Sequence, residues 1–519
     1  MLQTQFPMRS KLIARNSLLT VADTGVSILC SFVTVVLVAR IMGPEKLGYY
    51  AYVVWLVQIA NVVGLFGMPS ATRKYVAEFL GKGDVGTARR IVQVTFRLQG
   101  ITCLVLTALG AVITLTTVQA GHVGYTMLAL FSLIPAMLMS IPTNVNSAIE
   151  DFTPNVVASM TGTFVHLIAV LIVLWQQWDL MGLSAALLLS RTVDCGTRYY
   201  LFEQRFPQYL TTRFGTVAQV ATAIPFELRQ RMIRFCWQAT GLLVLNLVVW
   251  DRSEILFLKH FSEIQQVAFY SMSFGVMSVI SNLPQAFGWA AGSNLMAQQG
   301  RDPKPLPELS ATILRFQALI ALPLALGMVA LSSPFVKVLY GSKYEPAIPV
   351  LAIVACFSVS SAFVGAMKSL LIASEKQGFL LKWGILTAIV NLSLDWWLIP
   401  AKGAIGAALA NGISQTVAAI GVWVFAVRSF KIPMPWKPLL KLGFSAVTMA
   451  AVVSTITQFL APAPATIAGV LVGAGTFVAM LRWTRSFEQA DRDRLMDFQQ
   501  ALPPWLRNWY VLGVQMVAS

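Results

Sequence analysis

Charge is what this chain has least of. Asp, Glu, Lys and Arg make up only 12% of it, about half the share usual in soluble domains, while 56% is hydrophobic. No soluble core buries that much apolar surface, so the composition leaves a polytopic membrane protein. Histidine is almost missing. His122, His166 and His260 are scattered, with no metal-ligand company. The five cysteines (Cys30, Cys103, Cys195, Cys236 and Cys356) lie in apolar runs without CxxC spacing, which suggests neither a disulfide framework nor a zinc site. Also absent are a P-loop, a dinucleotide fingerprint and a Ser/His/Asp constellation. The expectation is therefore a protein that is not an enzyme and has no cofactor or metal. As a transporter it would run on an ion gradient or on its substrate's own.

Apolar runs long enough to span a bilayer are present. They fall at about 17–39, 47–69, 93–117, 124–147, 155–176 and 180–201. After a polar stretch at about 203–232, more follow at about 235–258, 264–288, 312–335, 346–371, 379–400, 404–427, 438–460 and 464–482. Arg9, Lys11 and Arg15 precede the first run, and no small-residue cleavage site follows it, which reads as a retained helix. With the N-terminus inside, about 31 of the 38 Lys and Arg fall in inner segments and about 7 in outer ones. That bias predicts both termini inside. It also explains most of the net charge of +16 by topology and anionic headgroups, without a nucleic-acid partner.

A repeat recurs at an offset of about 220 residues. MGLSAALLLS at 181–190 matches GAIGAALANG at 403–412, and LGYYAYVV at 47–54 lies over VAFYSMSF at 267–274. Phe96-Arg97 corresponds to Arg315-Phe316, and GKGD at 81–84 to QGRD at 299–302. Six spans separate equivalent points, so the two halves share one orientation. The predicted fold is all-α, with about 14 transmembrane helices in two parallel six-helix bundles plus two C-terminal helices. Its parts are an N-terminal lobe (1–202), a linker (203–234), a C-terminal lobe (235–430), two further helices (431–483) and a tail (484–519). Transporters built this way bind substrate near the midplane at the repeat interface.

Polar residues inside the spans mark candidate sites. Asn16, Thr20, Asp23, Ser27, Ser31 and Thr34 recur at steps of 4, 3, 4, 4 and 3, on one face of the first helix. Such a stripe serves either as helix–helix glue or as the wall of a water-filled cavity. Gln58 and Asn61 in the second span have counterparts in Ser278, Ser281, Asn282 and Gln285. Thr387, Asn391 and Asp395 form another one-face series, with Asp395 near an outer interface. Arg73, Lys74 and Lys368 either snorkel to headgroups or meet phosphate groups of a ligand. The run Leu243–Phe261 reads as one spanning helix, yet it carries Asp251, Arg252 and Glu254. Charges in hydrocarbon face protein, water or the interface, and either a cavity role or an outer gate fits them.

Three stretches resemble membrane proteins of polysaccharide biosynthesis. VARIMGPEKLGYYAYVVWLVQIANVVGLFGMP at 38–69 is similar to that family's opening. WDRSEILFLKHFSEIQQVAFYSMSF at 250–274 resembles its seventh-helix signature, with Ala268 in place of the usual Gly. Residues 370–415, containing NLSLDWWLIPAKGAIGAA, resemble its eleventh–twelfth helix signature, with Asp395 where Asn is common. The resemblance implies the polysaccharide transport branch of the multidrug/oligosaccharidyl-lipid/polysaccharide superfamily. Such proteins flip undecaprenyl-pyrophosphate-linked oligosaccharides across the bacterial inner membrane by alternating access. On that reading Arg73, Lys74 and Lys368 meet pyrophosphate, while Gln58, Asn61, Asn282 and Gln285 contact sugar hydroxyls. Thr20, Ser27, Ser31, Ser278 and Asn391 would line the cavity. Asp23 and Asp251 would couple transport to a proton or sodium ion, with Arg252 gating. A polysaccharide polymerase and glycosyltransferases are the implied partners. The alternatives are a peptidoglycan-precursor flippase, an ion-coupled multidrug antiporter and a non-transporting scaffold for glycan assembly.

Overall fold

In a computed structural model, residues 6–215, 221, 223–301 and 304–486 are described. Each of the fourteen expected spans has a helix there, and the described residues contain no strand. Of the expected tail, residues 487–519 lie outside the described residues. Two helices are too long for one crossing. Phe6–Leu65 (α1) has 60 residues, about 90 Å at 1.5 Å per residue, three times the hydrocarbon thickness. It breaks at Gly43, whose φ of 83° and ψ of 175° are not helical and which Pro44 follows. The other is Gln377–Phe430 (α14), broken at Gly403 with φ 54° and ψ −129°. Counting such double spans once, eleven stretches among the described residues are long and apolar enough to cross a membrane.

The chain forms two compact units, Met1–Leu247 and Val248–Ser519. In the first, α1 is followed by Met68–Gly81 (α2), Val85–Thr117 (α3), Ala120–Phe131 (α4), Leu133–Leu138 (α5), Ser140–Ala148 (α6), Thr153–Trp175 (α7) and Leu180–Phe214 (α8). Asp84 caps α3 by accepting from Thr87 N at 2.9 Å, and Asp179 caps α8 by accepting from Leu180 N at 2.8 Å. Most of Phe226–Trp250 (α9) belongs to this unit.

Helix α2 is amphipathic. It buries Ala71, Tyr75, Val76 and Leu80 against Leu228 and Cys236 of α9. Across that contact Glu78 accepts from both Nη atoms of Arg231, at 3.1 and 3.2 Å, and from Lys82 at 2.7 Å. The Lys82 hydrogen bond, aided by Arg231, holds the Glu78 carboxyl below its ordinary range. A lowered folded-state value stabilises above the unfolded glutamate's pKa of about 4.3 and is lost as pH falls through the lowered value. The group is close to solvent, so Glu78→Gln is expected to cost under about 1 kcal/mol at pH 7 and nothing in strong acid. Thermal melts at the two pH values check this; an equal loss at both would contradict it.

The second unit holds Glu254–Phe261 (α10), Ile264–Arg301 (α11), Leu306–Leu339 (α12), Ile348–Ala373 (α13), α14, Trp436–Thr457 (α15) and Pro462–Trp483 (α16). Helices α15 and α16 pack on α12 through Ala318, Leu331, Ala446, Met449 and Phe477. Their other faces leave Leu440 and Leu471 about 70% exposed, as suits residues against lipid tails. One expectation is corrected here. Leu243–Phe261 is not one helix, because the chain leaves helical geometry at 251–253, between α9 and α10. Local hydrogen bonds replace the lost helical ones. Asp251 Oδ1 accepts from Arg252 N at 2.9 Å, and Ser253 Oγ donates to Val248 O at 3.0 Å.

Candidate functional site

The break at 251–253 starts α10 at Glu254, and Glu254 is fully buried. Three side chains from distant parts of the chain satisfy it. Tyr270 Oη, on α11, donates to Oε2 at 2.8 Å, and Asn411 Nδ2, on α14, donates to Oε1 at 2.8 Å. Asn391 Nδ2, from the other half of α14, reaches Oε1 at 3.3 Å and Asp395 Oδ2 at 3.0 Å. Gln415 Nε2 donates to Asn411 Oδ1 at 2.9 Å and holds that amide in place. Asn411 also donates to the Asp251 carbonyl at 3.3 Å, which ties the broken segment to α14.

The electrostatics of the cluster are unbalanced. Glu254, Tyr270, Asn391 and Asp395 all have zero exposure. Among the described residues neither carboxylate has an ion-pair partner, and one amide bridges both. Asp395 Oδ1 and Asn391 Oδ1 are buried with nothing to bond. An unpaired buried charge costs several kcal/mol, and two adjoining ones cost more. A proton taken up by either carboxylate would relieve that cost.

The first unit has a related feature. Asp23 lies beside Ser159 and Ser27, with Arg198 and Asp194 near, and its Oδ1 is buried without a partner. Arg198, 5% exposed, donates to Asp194 through Nε at 3.1 Å and Nη2 at 2.6 Å, and to Thr143 Oγ1 at 3.1 Å. The guanidinium is thus bonded to Asp194, and Asp23 feels its charge without a hydrogen bond to it.

The α1 stripe is divided between two uses. Asn16 donates to Glu150 O at 2.7 Å and Ser27 meets Thr163 at 3.2 Å, whereas Thr20 and Ser31 are exposed. Gln58, Arg73 and Lys74 are exposed as well, and Lys74 Nζ sits 4.4 Å from the Phe235 ring. Asn61 is half-buried, with Oδ1 unpartnered. On α11, Ser278 and Asn282 bond to backbone one turn back, and Gln285 reaches Ser361 Oγ at 3.5 Å. Lys368 Nζ lies 4.4 Å from the Trp250 ring, a cation–π contact with no carboxylate partner among the described residues. Arg252 is 3.7 Å from Asp251 and 5.7 Å from the Phe274 ring.

Sequence reasoning weighed Asp251, Arg252 and Glu254 together and chose Asp251 for coupling; it passed over Asn411 and Gln415 and gave Tyr270 no site role. A signal for two of these was available, because Asn411/Gln415 repeats the i, i+4 spacing of Asn391/Asp395.

Comparison with known proteins agrees with this architecture. The family model for "Polysaccharide biosynthesis protein" matches residues 37–349, more than half of the chain. The protein belongs to that family. A second model, for the lipid II flippase MurJ, matches 295–471. The family match contains Glu254 and Tyr270, and the second contains Asn391, Asp395 and Asn411. Stage V sporulation protein B of Bacillus subtilis (strain 168) is 21% identical over 431 residues, 78% of this chain and 81% of the relative. Among solved structures, lipid II flippase MurJ in an inward closed conformation superposes with a TM-score of 0.71 at 14% identity, covering 89% of this chain and 97% of that one. An inward-facing multidrug resistance MATE family transporter of the MOP superfamily gives 0.63 at 15% identity, covering 78% and 94%. The fold of this family member is therefore the one those two transporters share.

Proposed function

We propose that the protein flips undecaprenyl-pyrophosphate-linked oligosaccharide units across the bacterial inner membrane for polysaccharide biosynthesis, by alternating access. The observation that carries this reading is the buried Glu254–Asp395 cluster within a polysaccharide-biosynthesis fold. Two uncompensated carboxylates in a spanning region mark an ion or proton site by default. A proton or sodium ion entering there changes the cluster's charge, and a charge change biases a two-state protein. The exposed pair Arg73 and Lys74 suits first contact with pyrophosphate, with Lys368 as a second, deeper cation. Asn61, Asn282 and Gln285 suit sugar hydroxyls.

A multidrug antiporter would favour an acidic, aromatic lining for cationic drugs, whereas the candidate substrate residues here are polar to basic. Glycan-assembly enzymes, the polymerase and glycosyltransferases, are the partners this reading implies.

A second reading is favoured by one specific observation. The lipid II flippase model matches 295–471, so a peptidoglycan precursor is the competing cargo. Deleting the gene separates them. The proposal expects lost surface glycan and lipid-linked repeat units accumulating in the inner leaflet, with normal peptidoglycan. Accumulated peptidoglycan precursor with intact surface glycan would transfer the protein to the second reading.

A further inference from the structure

One side chain joins Lys368 to the Glu254–Asp395 cluster. Trp250 closes α9, immediately before the break at 251–253 that leads into Glu254. Its ring lies under Lys368 Nζ, at 4.4 Å. The ring is half-buried and packs on the core that holds Val364, Met367 and Leu370 of α13, which fixes its seat beside the lysine.

The backbone around Trp250 belongs to the cluster. On one side, Val248 O accepts from Asn391 Nδ2 at 3.3 Å as well as from Ser253 Oγ at 3.0 Å. On the other, Asp251 O accepts from Asn411 Nδ2 at 3.3 Å. These two amides also bond the Glu254 carboxylate, Asn391 at 3.3 Å and Asn411 at 2.8 Å. An amide shared between a carbonyl and a carboxylate moves toward one when the other shifts, so displacing Trp250 redistributes the donors that hold Glu254. The pull on the ring comes from the ammonium charge. An anion on Lys368 cancels that charge and turns the three N–H donors toward itself, and the hold on the ring weakens.

We propose that Trp250 is a positioning residue that couples anion binding at Lys368 to the carboxylate cluster. This rests on the proposed function, in which Lys368 meets pyrophosphate and the cluster takes up the coupling ion. Pyrophosphate arriving at Lys368 releases the ring, the carbonyls at 248 and 251 shift, and Asn391 and Asn411 hold the cluster differently. Linkage makes the effect reciprocal, so the charge of the cluster sets how firmly Lys368 holds the anion. Cargo and ion need never touch.

The test is a double-mutant cycle read as affinity for radiolabelled farnesyl pyrophosphate, with the full-length protein in nanodiscs at a single pH. Asp395→Asn removes a charge from the cluster and should change the dissociation constant about tenfold, within the usual range of coupling between sites. In a Trp250→Leu background the same change should shrink to less than about twofold. Trp250→Phe keeps an aromatic face with a weaker pull, so it should give an intermediate value, and it serves if the leucine variant folds poorly. Repulsion between the carboxylates and the anion acts through space and survives loss of the ring. An undiminished effect of Asp395→Asn in both Trp250 variants would therefore overturn the link, as would no effect of Asp395→Asn beside the native tryptophan. Lys368→Gln separates the link from the wider reading. If it weakens binding while the cycle is additive, Lys368 keeps its place at the cargo and only the Trp250 link fails. If it leaves the affinity unchanged, the anion binds elsewhere and both fail.

Discussion

Asp395→Asn is expected to lower gradient-driven transport about 100-fold while leaving the protein folded. That magnitude is near the top of the range of coupling free energies between sites. The reasoning starts from the cluster's charge. Asp395 and Glu254 are fully buried, receive hydrogen bonds from the same Asn391 amide, and leave Asp395 Oδ1 bare. Asparagine keeps the volume and a carbonyl for Asn391 Nδ2, so the hydrogen bond survives. What it removes is a charge that a proton or cation could answer. Stability should hold or rise, since deleting one of two uncompensated buried charges relieves a penalty. Proteoliposomes with an imposed proton or sodium gradient report the transport loss, and a melting curve in the same lipid reports the fold. Wild-type transport in a well-folded Asp395→Asn protein would remove the cluster from the mechanism. Glu254→Gln should behave alike, because Gln still accepts from Asn411 and can donate to Tyr270.

Gly406→Ala is expected to be the most damaging small substitution for folding. A Cβ built at Gly406 falls 2.2 Å from Leu398 O and 2.6 Å from Leu398 C. Both are backbone atoms of the turn between the two halves of α14, so no rotamer change relieves the clash. The turn has little slack, because Gly403 holds φ at +54° and Ala404 N donates to Gln266 Oε1 at 3.0 Å. Displacing the second half of α14 also pulls Asn411 off Glu254. Overpacking against backbone that cannot give way costs about 3 kcal/mol, the upper end of the usual range and a large share of a protein's margin. Membrane yield and melting temperature should therefore both collapse. Gly25→Ala and Gly475→Ala are the controls, since their Cβ atoms meet nothing within 4 Å. They sit in helices, where alanine is favoured by up to about 1 kcal/mol. If Gly406→Ala melts like these controls, the turn tolerates movement and Asn411 is not rigidly placed.

The spans were legible because bilayer thickness writes itself into the sequence as runs of apolar residues, and Gly43 and Gly403 mark where two runs fold back. The broken seventh helix was not. Hydropathy averages over a window, and the bonds that rescue the break, from Ser253 Oγ and Asp251 Oδ1, are local and add no apolar signal. Reading the run as one helix then treated Asp251, Arg252 and Glu254 as one group, although Asp251 and Glu254 lie on either side of a break. The site itself was half visible. Asn391 and Asp395 share a face at i, i+4, and that much was read correctly. Their partner Glu254 is 137 residues from Asn391 in sequence, and Asn411 is 157 from Glu254. Sequence spacing carries no information about such pairings. Position along the span misled as well, because Asp395 near an apparent outer boundary reads as an interfacial residue. In the fold, α10, α11 and both halves of α14 enclose it. The α1 stripe illustrates the same limit, since periodicity finds the polar face but not the Thr163 that covers part of it.

Under the proposed function, this family member moves a lipid-linked oligosaccharide and uses the Glu254–Asp395 cluster to do so. The most direct test is flipping by the purified wild-type protein in proteoliposomes, with a fluorescent undecaprenyl-pyrophosphate-linked oligosaccharide in one leaflet. An imposed proton or sodium gradient is expected to accelerate transfer to the other leaflet, and collapsing the gradient to return the rate to that of the Asp395→Asn protein. Transfer no faster than in protein-free vesicles, under either gradient, would contradict the proposed function.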